Sequence, residues 1–357
     1  MKDLLENKMF KIFIGAIILV ILIITIVGIL VSGKGKTISA ENLSSAAKAY
    51  YEKNPALLPK ENYDSTTVPL STLISMGYIS SDKEGATCPS YVMVTNMNGT
   101  YSYTPFIKCN NSSTNNTTSL MSKLTASMTK TGSGFYNVDG KYIFRGENPN
   151  NYVSFGNALW RIIGLDENNN IKMIYSDIYV DYNEWDNRYN KDIGKDRGIN
   201  DYISNESSRL KEYLNSFFIT NTSGKNFTAT QISRMVKFNT CIGKADLSTG
   251  NINICDEKTT ERVSTLTIED YMSASLDESC SINETINCRN YNFLNASGWT
   301  ITAYSGNTYQ AYFIDKNKGI YPSDTYIRAA VKPVIALKND VTYAKGSGTY
   351  NDPYMIG

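Results

Sequence analysis

The chain of 357 residues contains no histidine, which narrows its chemistry at once. Neither a Ser-His-Asp nor a Cys-His catalytic pair can be assembled, nor a metal site with imidazole ligands. Carboxylates, aromatic rings and six cysteines remain. The run Asp181-Tyr182-Asn183-Glu184-Trp185-Asp186-Asn187-Arg188 sets acids and amides close together. Ca²⁺ takes six to eight hard oxygens, so a Ca²⁺ loop is one reading, but the central Gly and closing Glu of an EF-hand are missing. The preferred reading is a structural loop in which Asp186 pairs with Arg188 or with a backbone amide. Glu269 and Asp270 form a second acidic pair. A glycoside hydrolase needs two carboxyl groups ~5–9.5 Å apart, a separation that sequence cannot show. Acids in the first turn of a helix also suit its dipole. Trp299, Tyr304, Tyr309 and Tyr312 offer rings for a sugar to stack on, or, in alternating strands, half core and half surface. The residues expected to meet a ligand are Trp185, Asp186, Arg188, Trp299 and Tyr304. No catalytic residue and no cofactor is assigned beyond the Ca²⁺ option.

The cysteines fall as sequence-adjacent pairs, and no C-x-x-C spacing suggests a metal. Cys88 with Cys109 would close the open end of a hairpin turning at Asn98-Gly99. Cys241 with Cys255 and Cys280 with Cys288 would each close a short loop at small entropic cost. Three disulfides imply an oxidising compartment. With 35 basic and 34 acidic residues the net charge is +1, which gives no electrostatic footprint for nucleic acid. The many Asn and Tyr residues fit an adhesive surface, or more simply an AT-rich genome, and 41% hydrophobic residues suit a globular chain.

The elements that must position these residues divide the chain into five segments. Residues 12–32 carry no charge over 21 positions. In a helix they reach about 30 Å, enough to cross a bilayer. The expectation is a single-pass membrane protein with a cytoplasmic tail (1–11), a transmembrane helix (12–32) contacting lipid, and the bulk of the chain extracellular. Residues 33–109 read as a juxtamembrane helix, with Leu43, Ala46, Ala47, Tyr50 and Tyr51 on one face, followed by a small disulfide-stapled β module. Residues 110–130 read as an Asn/Ser/Thr-rich linker. Residues 131–357 read as an α+β domain: a hairpin turning at Asp166–Asn170, helices near Leu210–Phe218, after Thr228 and after Thr267, and strands around Trp299–Tyr304, Tyr309–Ile314 and Val331–Leu337.

Several phrases line up in order: Phe155-Gly156-Asn157-Ala158-Leu159-Trp160-Arg161-Ile162-Ile163-Gly164, Ser208-Arg209-Leu210-Lys211-Glu212-Tyr213-Leu214-Asn215, Leu266-Thr267-Ile268-Glu269-Asp270-Tyr271, Trp299, and Val331-Lys332-Pro333-Val334-Ile335. This order resembles an uncharacterised domain family of bacterial surface proteins. The resemblance spans about 150–345 and implies a C-type-lectin-like or formylglycine-generating-enzyme-like fold, with no catalytic residue to carry over. Here Lys332 stands where many members have Arg. Residues 1–110 resemble a pilin at low resolution, although the apolar run lacks the family's acidic residue. The expected function is a non-catalytic binding or adhesion module for a glycan or surface protein. A carboxylate-dependent cell-wall glycan hydrolase and a pilin-like envelope component are the alternatives.

Overall fold

The computed structural model describes residues 38–61, 64–80, 90–97, 99–107, 118–176, 181–203, 206–219, 227–252 and 254–356. Chain contacts separate two compact units, Met1–Ser113 and Thr114–Gly357.

In the first unit, helix α1 (Ala40–Lys53) begins where the Ser39 hydroxyl accepts the Asn42 N–H, 3.1 Å away. Leu43, Ala46, Ala47 and Tyr51 make its buried face, and Pro55 bars continuation beyond Asn54. Strand β1 (Ser65–Pro69) runs into a short helix α2 (Leu70–Ser75). Strands β2 (Tyr91–Met97) and β3 (Thr100–Phe106) complete a three-stranded antiparallel sheet in the order β1-β2-β3. Gly99 turns this hairpin at φ +84° and donates its N–H to Asn96 Oδ1 at 2.7 Å. Val68, Leu70, Leu73, Val92 and Val94 pack against α1. Cys88 and Cys109 lie outside the described residues.

The second unit opens with α3 (Leu120–Ala126), β4 (Gly134–Val138), β5 (Lys141–Arg145), β6 (Tyr152–Phe155), β7 (Ala158–Leu165) and β8 (Ile171–Tyr175). Short strands β9 (Asp181–Glu184), β10 (Tyr189–Asn190) and β11 (Lys195–Asp196) precede helices α4 (Arg209–Ile219) and α5 (Ala229–Arg234). Then come β12 (Met235–Val236), β13 (Phe238–Cys241), β14 (Lys258–Glu261), α6 (Ile268–Ser273), β15 (Gly298–Ala303), β16 (Gln310–Asp315) and β17 (Gly319–Asp324). Strands β18 (Arg328–Val331), β19 (Val334–Leu337), β20 (Tyr343–Lys345) and β21 (Tyr354–Ile356) finish the chain.

The main sheet runs β12-β19-β8-β7-β6-β21-β20, with the β4-β5 hairpin attached to β7. Only one of its pairings, β21 with β6, is parallel among the described residues. Gly164 explains the attachment of β5. The register of β7 against β8 shifts between Ile162 and Gly164, and Ile143 pairs with Gly164 there. A Cβ on Gly164 would stand 2.3 Å from the Tyr142 carbonyl oxygen, so only glycine lets the two backbones approach this closely. Sheets β15-β16-β17 and β9-β18 stand apart from the main sheet in their hydrogen bonding. Ile163, Ile174, Phe238, Leu266, Tyr271, Tyr312, Ile314 and Val334 share one buried cluster.

Three expectations require correction. The α+β class gives way to a strand-dominated architecture: twenty-one strands and six α-helices are described, and the longest helix has 14 residues. Helical periodicity is genuine at α4, α5 and α6, but each is brief, and many two- to four-residue strands carry no periodic signal. The linker assigned to 110–130 is partly folded. Ser119 caps α3 by accepting the Ser122 N–H at 3.1 Å, and Leu120 and Leu124 are fully buried. The single-pass membrane placement is also withdrawn, because no helix among the described residues is long and apolar enough to cross a membrane. The stretch 12–32, where that helix was expected, lies outside the described residues.

Candidate functional site

The loop after β9 shows what its acids are for. Asp186 has no exposed side-chain surface and Arg188 only 8%. The Arg188 Nε lies 2.9 Å from both Asp186 oxygens, and its terminal nitrogens donate to the carbonyls of Asp201 and Glu206. Asp186 also accepts the Ile199 N–H at 2.6 Å and, more weakly, the Arg209 N–H at 3.4 Å. Both carboxylate oxygens are thus engaged as a buried brace, not held open for a cation. No group of three or more acids or cysteines able to hold a metal occurs among the described residues. Trp185 is fully buried, and its indole N–H donates to the Thr300 carbonyl at 3.0 Å. Asp186 and Arg188 therefore meet each other, while the Trp185 ring packs against Tyr202, and all three face the interior.

The acidic pair has a similar explanation. Thr267 and Asp270 form a capping box at the start of α6. Lys172 donates to both Asp270 oxygens at 2.7 and 2.9 Å, while Lys141 meets Glu269 at 2.5 Å. Burial works to raise the Asp270 pKa, but the Lys172 ammonium and the Thr267 N–H and hydroxyl outweigh it and hold the carboxyl below its ordinary value. A general acid for glycoside cleavage needs the opposite shift. These groups line a cleft of about 440 Å³ together with Glu167, Lys258 and the Cys241–Cys255 disulfide. Its charges are already compensated, since Lys258 reaches Glu167 at 3.1 Å. The two disulfides Cys241–Cys255 and Cys280–Cys288 are formed as expected.

The aromatic residues give a more open surface. Trp299 is 2% exposed because β15 is buried along its whole length. Its N–H donates to the Asn183 carbonyl at 3.1 Å, and its ring meets Phe313 edge-on at 5.5 Å. Phe313 in turn contacts Tyr321 at 5.9 Å. Phe313 and Tyr321 are half-buried, and with Tyr182, 61% exposed, they line a groove of about 310 Å³. Ser297, Ser323, Ile327, Arg328, Ala329 and Ala330 form the rest of it. Beside the groove, β15 and β18 approach closely: a Cβ on Gly298 would lie 2.8 Å from the Ala330 oxygen. Arg328 is steadied at the rim by the Tyr182 carbonyl at 2.7 Å and by Glu184 at 3.8 Å. Tyr304 lies elsewhere, beside Tyr312 in a polar cleft of about 370 Å³ with Asp246 and Ser248.

The sequence pattern thus located Trp299, which braces Phe313 from the neighbouring strand, and missed the rings that line the groove. Tyr182 stood inside the acidic run, and Phe313 inside a recognised strand. Tyr321 had no such signal, since β17 contains Pro322 and starts at Gly319 with φ +83°, and Arg328 opens the four-residue strand β18. The groove joins aromatic faces with hydroxyls and a guanidinium. It can stack on the C–H face of a ring and hydrogen-bond its substituents, but it presents no nucleophile–base pair. Comparison with protein-family models, with curated protein sequences and with solved structures finds no match for the chain.

Proposed function

We propose that the second unit is a non-catalytic binding module for a glycan, which docks in the groove lined by Tyr182, Phe313 and Tyr321. The aromatic groove is the observation that carries this reading. An exposed tyrosine, Tyr182, and a half-buried one, Tyr321, beside serine hydroxyls and an arginine suit a ligand that has an apolar face and a hydroxylated edge. Phe313 is braced by the ring of its cross-strand neighbour Trp299, so the groove needs little ordering when it binds. The disulfides fit work in an oxidising setting.

The test is a glycan array probed with the oxidised full-length protein, followed by titration of any hit. Tyr182→Ala and Tyr321→Ala should each weaken selective binding by about tenfold, equivalent to ~1.4 kcal/mol per ring. Tyr304→Ala should leave the affinity unchanged. Binding that survives both groove substitutions would remove the groove from consideration, and a folded protein that selects no glycan would sink the reading.

A further inference from the structure

The groove draws its lining from two separate sheets, and strand register decides what each contributes. In the β16-β17 pairing, Phe313 lies opposite Tyr321 and Ala311 opposite Ser323, so alternation brings both rings and the Ser323 side chain to one face. In the β9-β18 pairing, Tyr182 lies opposite Ala330 and Glu184 opposite Arg328, which sets Tyr182 and Arg328 diagonally on one face. One wall therefore carries two rings and a hydroxyl, the other a ring and a cation. Tyr182 joins the two roles. Its ring is exposed for stacking, and its carbonyl accepts from Arg328 Nη2 at 2.7 Å, which orients the guanidinium at the rim.

The polar lining is one-sided. A guanidinium only donates, and the described residues of the lining include no Asp, Glu, Asn or Gln. Ser297 already accepts the Lys316 N–H at 3.2 Å, so its O–H remains to donate. A neutral sugar brings O–H donors as well as acceptors, and this lining has no carboxylate or amide to receive them. A carboxylate brings acceptors alone and matches a guanidinium in shape as well as charge. Glu184 stands 3.8 Å from Arg328 Nε, beyond hydrogen-bond distance, and does not line the groove. The Arg328 side chain stays 66% exposed, so this is a surface ion pair that holds the cation only weakly against a ligand.

We propose that the glycan bound in this groove is acidic: its ring stacks on Tyr182 and Tyr321, and its carboxylate pairs with Arg328. This rests on the glycan reading of the groove and narrows it to carboxylated sugars.

Paired affinity measurements on the oxidised full-length protein test it, at constant ionic strength so that screening does not pass for binding. The probes are an oligogalacturonate, a glucuronate-containing oligosaccharide and a sialylated glycan. Each is compared with its carboxyl-reduced counterpart, which keeps the ring and replaces the carboxylate with a hydroxymethyl group. At least one acidic probe should bind about tenfold more tightly than its counterpart, the value of a charge-assisted hydrogen bond. Arg328→Gln should bring the two members of that pair to equal affinity, and Glu184→Gln, which removes a like charge, should widen the gap. Arg197→Gln should leave the gap unchanged, because Arg197 is a second exposed arginine, paired with Asp324 at 3.7 Å, that does not line the groove. Thermal melts matching the parent protein verify that these surface variants are folded. Binding that is lost in Tyr182→Ala but is equal for both members of every pair would overturn the acidic class and leave the glycan reading standing. An acid preference that survives Arg328→Gln, or that Arg197→Gln abolishes equally, would overturn it too. Absence of selective binding to any glycan would remove both readings together.

Discussion

Asp186 acts as a fastener. Its two oxygens tie the turn after β9 to Arg188, to the Ile199 amide and to the start of α4 at Arg209. Asp186→Ala would leave the Arg188 guanidinium buried without a counter-charge, and should cost about 3–5 kcal/mol in urea denaturation. Asp270 has a pH signature. Its folded pKa lies below its unfolded value, so the unfolded chain takes up a proton first as pH falls. The stabilisation is complete near neutrality and is lost as pH drops below the ordinary aspartate value of ~3.9 and through the folded pKa. Asp270→Asn should cost about 2–4 kcal/mol near neutral pH and flatten the acid limb of a stability-versus-pH curve. An unchanged acid limb would show that Lys172 and Thr267 do not hold the carboxylate as described.

At the scale of elements, Gly164 decides whether β5 can join β7. Gly164→Ala should push the β4-β5 hairpin away from the main sheet and speed amide exchange along Lys141–Arg145, while exchange in β2 and β3 stays unaltered. The elements legible in the sequence are those whose signal is local. Ser39 and the apolar stripe of α1 mark that helix, Thr228 with Gln231 marks α5, and Asp166 marks the β7-β8 turn through its bonds to the Asn168 and Asn170 amides. What escaped depends on partners far away in the chain. All six residues of β15 are buried, so alternation along this strand could not show that Trp299 is withdrawn from solvent. Strands β9 and β18 hold each other only through pairs such as Tyr182 with Ala330.

At the scale of the whole molecule, the two disulfides among the described residues are short-range clips, with sequence separations of 14 and 8. Loop-closure entropy gives each about 2–3 kcal/mol, the longer loop somewhat more. Paired Cys→Ser replacement at 241 and 255 should lower the melting temperature of the second unit more than replacement at 280 and 288 does. Equal losses would mean that local packing, not chain entropy, sets their value. Long-range closure falls to the strands. The backbone of Leu120 donates to Val341 and that of Tyr343 to Thr118, each at 2.8 Å, while β21 lies parallel to β6 with Tyr354 opposite Val153. Roughly two hundred residues therefore separate the partners of one sheet pairing, a slow kind of contact to form. On the ribosome, β6 waits for β21 until synthesis has passed Tyr354. A nascent chain stalled before that residue should stay sensitive to protease throughout the second unit, and resistance should follow release. The last strand thus acts as the latch of the sheet, and the order in which the unit closes is set by its C-terminal end.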